Sequence, residues 1–293
     1  MTVWFFLPLL VAIAAALGSR LVQSRLDPVI GTWLLTGLAA GSAVTVFGAV
    51  ALVSLTYVAG VAWIADRVGW CRTLAAANHA PNTVVGLVSL TLTVCAVVRG
   101  WRVLHRHHQI ARGPATEEVV IVESADVVAY AVPGRPGHVV VSTAMLKALS
   151  SDEQSVMFAH ESAHLAYRHH RFVLVGSVAA AVLPVLRPLA RQIVFSTERW
   201  ADEVAAAHVG DRVLAAQAIA TAAFAASSPA FALGLADLGV VGRVDALLND
   251  RAPTKVAGRF GGATGCALAV VCLGGGIVQL LHVASLVLHI CAG

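Results

Sequence analysis

Residues 150–164 read Ser-Ser-Asp-Glu-Gln-Ser-Val-Met-Phe-Ala-His-Glu-Ser-Ala-His. The opening is a helix start: Ser150 with Glu153, or Ser151 with Gln154, forms a capping box, and the acids favour the positive end of the helix dipole. The pattern predicts a helix over Asp152–His169. On it His160 and His164 stand four residues apart, on one face, so both imidazoles can reach a single zinc ion. Glu161 projects beside them, where it can take a proton from a water that the ion holds. Two histidines do not complete a catalytic zinc site, which has three protein ligands and an open position. The third is found in Glu198-Arg199-Trp200-Ala201-Asp202, on a helix predicted over Thr197–Val209 and closed by Gly210. Glu198 can supply the ligand. Asp202, one turn later, can bind the free ring nitrogen of a ligand histidine.

Around this pair of helices the sequence reads as a small mixed domain. Glu117–Glu123 and Val127–Val132 have the β-branched density of short strands, and the turn Pro133-Gly134-Arg135-Pro136-Gly137 leads into a third, His138–Ser142. A short helix is expected near Thr143–Leu149, and another from Asp211 to Ala226, stopped by Ser227-Ser228-Pro229. The bland alternative for His-Glu-Ser-Ala-His is an exposed helical face with loose Glu–His pairs. The cap, the preceding strands and the downstream Glu-x-x-x-Asp helix weigh against it. His208, ten residues after Glu198, is a candidate oxyanion donor, or a helix-end histidine favoured by the dipole.

The remainder of the chain is not soluble in composition. Of 293 residues 58% are hydrophobic and only 12% charged, against about 25% charged in a soluble domain. An ordinary soluble enzyme and a disordered regulator are both excluded. Spans of about 20 apolar residues are expected at Thr2–Ser19, near Thr36–Thr56 within the uncharged run Pro28–Ala65, near Thr83–Val98, and near Ala263–Leu288. Arg99, Arg102, Arg106 and Arg112 follow the third span, and Arg243, Arg251, Lys255 and Arg259 precede the last. Retention of cations on the cytoplasmic side therefore places the intervening segment in the cytoplasm and both termini outside. The expected organisation is 1–99 as three spans, 100–262 as a cytoplasmic domain, and 263–293 as the last span. A fifth apolar run, Phe172–Leu186, cannot cross completely, because His164 and Glu198 would then lie on opposite sides. Segment 172–190 must turn back, lie along the interface or pack inside the protein.

These residues resemble the gluzincin-type membrane metallopeptidases, in two branches: the HtpX and CAAX-prenyl-protease branch, and the BlaR/MecR-type antirepressor peptidases. Ala129–Gly134 sits where these families have an edge-strand motif, and Asp152–His164 is similar to their zinc-binding helix. The apolar run followed by Glu198–Asp202 is similar to the BlaR/MecR pattern, as is the layout of spans. The resemblance covers about residues 115–250 in motif detail. It implies an α-helical membrane protein of about four transmembrane helices with an inserted α+β zincin-like metallopeptidase domain. It implies Zn2+ as cofactor on His160, His164 and Glu198, Glu161 as general base and Asp202 behind the ligands. Strand His138–Ser142, through Val139, Val140 and Val141, would hold an extended substrate by strand addition. The penicillin-binding sensor of the BlaR/MecR proteins is not among these residues, so β-lactam sensing through it is not expected.

The implied activity is zinc-dependent endopeptidase cleavage of cytoplasmic or membrane-proximal protein segments. Two other readings stay open: a regulated signalling protease that cuts a repressor or itself, and a non-catalytic zinc-binding scaffold. The expected partners are a protein or peptide substrate and the lipid bilayer, with a homo-oligomer left open and no nucleic acid. His169 and His170, with Arg168 and Arg171, read as a solvated basic helix end facing anionic lipid, with a second metal pair as the alternative, and Trp200 reads as core.

Overall fold

The computed structural model describes residues 10, 13–14, 27–61, 81–110, 118–226 and 236–249. The run Pro28–Ala65, too long for one crossing, begins with a single helix, α1 (Pro28–Ala59). It starts where Asp27 accepts from the N–H groups of Val29 and Ile30 at 2.9 and 3.2 Å and where Pro28 occupies the first turn, a position that needs no N–H. α2 (Thr83–Ile110) runs antiparallel to its C-terminal half: Ser54 and Thr93 hydroxyls meet at 2.8 Å, and the Tyr57 ring lies directly against Gly86, where any Cβ would collide with it. Both helices are long and apolar enough to cross a membrane. The expected span Ala263–Leu288 lies outside the described residues, as does Thr2–Ser19 apart from residues 10 and 13–14.

The strands form where expected: β1 (Val119–Val122), β2 (Ala129–Val132) and β3 (His138–Ser142). Their order is β1-β3-β2, with β1 parallel and β2 antiparallel to β3. This corrects the expectation for Val139, Val140 and Val141. β3 is the central strand, buried along its whole length, and both its edges are taken. β-branched density marks a strand but says nothing of its place in the sheet. The strand that faces the histidines is β2.

α3 (Thr143–Ala148) is capped by Ser142, and α4 (Ser151–Ala166) by the Ser150–Glu153 capping box. α4 ends at Ala166 rather than His169, because Arg168 takes the left-handed conformation at φ 54° and starts α5 (His169–Val182) in a new direction. A 3-10 turn, Pro184–Leu186, then reverses the chain into α6 (Arg187–Val209). α6 begins ten residues earlier than the sequence suggests. Pro188 sits in its first turn, where proline favours a helix instead of breaking one. α7 (Arg212–Ala226) and α8 (Ala236–Leu248) complete the described elements.

The run Phe172–Leu186 therefore turns back and packs inside the protein. The α5–α6 hairpin is closed by Gly176, whose Cα faces Ile193 and Ala190 so closely that a Cβ would lie 2.9 Å from the Ile193 methyl. Its core joins Phe172, Leu186, Leu189, Ile193 and Trp200 to Leu35, Leu38 and Ala39 from the first half of α1. Leu186, Leu189 and Ile193 are fully buried, each contributing about 1.5–3 kcal/mol. Ser196 of α6 donates to the Pro28 carbonyl at 3.1 Å, so the start of α1 lies against α6 two residues before Glu198.

Candidate metal centre

α4 and α6 carry the expected ligands, and their packing brings them together. His160 Nε2 lies 3.1 Å from His164 Nε2, and each is 3.5 Å from an oxygen of Glu198. Zinc bonds of about 2.0–2.1 Å at tetrahedral angles separate neighbouring ligand atoms by about 3.3 Å. The two histidine nitrogens lie just inside that value and each lies just outside it from a different Glu198 oxygen; one ligand atom from each of the three residues falls within 4.8 Å of the others. Two imidazoles and a carboxylate, clustered with no hydrophobic spacer, suit Zn2+.

The residues behind the ligands set their orientation. Asp202, as expected, reaches the other ring nitrogen of His160: Oδ1 is 3.0 Å from Nδ1. Its side chain is 2% exposed, so its charge needs a partner. That partner is Arg243 of α8, which donates through Nε and Nη2 at 2.7 and 2.6 Å, a two-pronged geometry that lysine could not supply. A third guanidinium nitrogen, Nη1, is 3.1 Å from Glu198, so one arginine holds both acids. The sequence placed Arg243 only as a basic flank. A buried acid expected near a ligand histidine signals that a cation must exist, but not where in the chain.

His169 is the second residue missed. Far from being solvated, it is 1% exposed, packed on Trp200 at 4.8 Å between ring centroids, with Nδ1 3.1 Å from Nδ1 of His164. Trp200 is core, as expected. When His164 offers the Nε2 lone pair to a metal, its proton sits on Nδ1 and is donated to His169. His208 stands exposed at the end of α6 and does not line the cleft around the ligands.

The charge states follow from burial and these partners. Burial alone would lower the His160 pKa, but Asp202 and Glu198 together outweigh it and carry it up to about 10. Burial would raise Glu198, yet His160, His164 and Arg243 bring it down to about 2. Burial pushes His164 down to about 4 and His169 down to about 3, so both stay neutral at physiological pH. Glu161 is raised, chiefly by burial, with the Glu198 charge adding to it, which moves a carboxylate towards the range of a useful base.

Glu161 also accepts from the backbone N–H of Ala131, and the strand register shows why. Ser142 N–H donates to Val128 O at 2.9 Å, so Val128, Tyr130 and Val132 bond to β3, while Ala129 and Ala131 turn their backbone groups to the open edge. That edge and Glu161, with the three ligands, border one cleft of about 670 Å³ whose far wall is apolar, with Val173, Leu174 and Val194.

A family model for peptidase family M48 matches residues 101–192, roughly a third of the chain. The match takes in the sheet, His160, Glu161 and His164, α5 and the start of α6. It ends before Glu198, Asp202 and Arg243. No curated protein and no solved structure matches the chain. The match supports a metallopeptidase, a hydrolase acting on protein or peptide substrates.

Proposed function

We propose that this chain is a zinc-dependent integral membrane endopeptidase of family M48, cutting extended protein segments at the cytoplasmic face of the membrane. One observation carries the reading: two imidazoles and a carboxylate whose ligand atoms lie within 4.8 Å of one another, with a second carboxylate and an open strand edge on the same cleft. The metal supplies Lewis acidity, acidifying water and polarising the peptide carbonyl. His160, His164 and Glu198 hold it, Asp202 and His169 keep the two imidazoles aimed at it, and Arg243 keeps Glu198 and Asp202 in place. Glu161 takes the proton of the attacking water and returns it to the leaving amine; its raised pKa suits both transfers. The substrate backbone pairs with the edge of β2, at Ala129 N–H and C=O and at Ala131 C=O, rather than with Val139–Val141.

Membrane location is supported by α2, whose apolar stretch presents Val84, Leu87, Leu92, Val94 and Val97 outward. Arg99, Arg102 and Arg106 follow at its C-terminal end and favour the cytoplasmic side. Glu161→Gln tests the assignment: the purified variant is expected to retain about one metal per chain and lose peptide cleavage. Cleavage that survives this change would overturn it.

A further inference from the structure

Beyond the ligands the cleft does not end. A second hollow of about 610 Å³ adjoins it and shares four of its lining residues, His107, Pro133, Leu165 and His170. Its other walls carry Arg135, Arg168 and Arg171 with His108, and none of its lining residues is acidic. Among the described residues no carboxylate pairs with these three arginines. The strongest sign that the charge is wanted there is Arg168. It holds a left-handed backbone that costs an L-residue other than glycine or asparagine about 1 kcal/mol, and its side chain lines the hollow.

We infer that this hollow is a subsite for acidic side chains of the substrate, with Arg135, Arg168 and Arg171 pairing to Glu or Asp residues of the polypeptide held on β2. The inference rests on the peptidase reading. β2 runs from Ala129 towards Pro133, Gly134 and Arg135 at the mouth of the hollow, so a strand added antiparallel to it puts its N-terminal residues there. Height favours a peptide over a lipid headgroup. His107 lies nine residues beyond Val98, the last residue of the apolar stretch of α2, or about 14 Å along the axis. A headgroup layer extends only about 5–8 Å beyond the hydrocarbon.

The test uses the full chain carrying Glu161→Gln, zinc-loaded, in an uncharged detergent. Binding is measured for a fluorescent peptide with a short run of Glu at its N-terminal end and for its Gln counterpart. The expected result is about tenfold tighter binding of the Glu peptide, with the preference shrinking as salt rises. In Arg168→Asn/Arg171→Gln the ratio of the two affinities should fall severalfold, to the share left to Arg135. Asparagine suits the left-handed backbone at 168, and loss of Arg171 removes a cation from the first turn of α5, so the variant is expected to fold. A ratio of one in the parent protein, or a preference undiminished by the two substitutions, would overturn the subsite. So would saturable, arginine-dependent binding of phosphatidylglycerol that displaces the Glu peptide, which would make the hollow a lipid site. Wild-type protein, zinc-loaded, that cuts neither peptide would overturn the peptidase reading instead, while the affinity ratio still decides the subsite.

Discussion

Raising the pH should tighten metal binding to this site, and the charges around it set by how much. In the metal-free protein His160 keeps its proton up to about pH 10, whereas His164 is neutral above about 4 and Glu198 ionised above about 2. At neutral pH one ligand of three must therefore lose a proton before it can coordinate. The pKa lies about three units above pH 7, which is a cost of about 4 kcal/mol, or about a thousandfold in affinity. Apparent affinity should rise about tenfold per pH unit through the neutral range and level off near the His160 pKa. Competition titrations against a chelator of known affinity, repeated at several pH values, give this slope. Calorimetry in two buffers of different ionisation enthalpy gives the proton count directly, and one proton per metal is expected. No pH dependence would mean that His160 is neutral in the metal-free protein and that the Asp202 and Glu198 contacts do not hold a charge. Two protons would mean that His164 is charged as well.

Asp202→Asn should weaken metal binding about 10- to 100-fold and, by leaving Arg243 buried with one partner fewer, destabilise the fold by about 3–5 kcal/mol; chelator competition and thermal unfolding in detergent read the two effects separately. His169→Phe keeps the packing on Trp200 but removes the acceptor for His164, so metal affinity should fall about tenfold with little change in unfolding temperature. Acid should destabilise the metal-free protein: His164 is held neutral in the fold but titrates near 6.5 when unfolded, so stability is present above 6.5 and lost as pH falls towards 4. At pH 5 the loss from His164 is about 2 kcal/mol, visible as a lower melting temperature than at pH 7. Ala131→Pro removes the N–H that Glu161 accepts but no sheet hydrogen bond, and should shift the acid limb of the pH–rate profile upward.

The part of the site that lies within one helix was legible, because helical spacing fixes which side chains share a face. His160, Glu161 and His164 needed nothing more, and Glu198 and Asp202 repeat the logic one turn apart on α6. What failed were relations between elements. Strand composition identified β3 but could not say that β1 and β2 flank it. The helix expected from Thr197 starts at Arg187 instead, because Pro188 fits a first turn that has no need of its N–H. His169 escaped because the left-handed Arg168 brings it back onto His164, an arrangement no helical register describes. Arg243 escaped because a buried carboxylate demands a cation from anywhere in the chain.

The core shared by α1 and the α5–α6 hairpin also governs how the protein can be handled. A fragment beginning after α2 would keep every metal ligand, yet it would turn Phe172, Leu186, Leu189 and Ile193 towards water where Leu35 and Leu38 had covered them. Such a fragment should aggregate, or recruit detergent to that face. A cut between α2 and β1 should therefore not release a soluble domain, and it would also take Val103, Arg106 and His107 of α2 from the wall of the cleft.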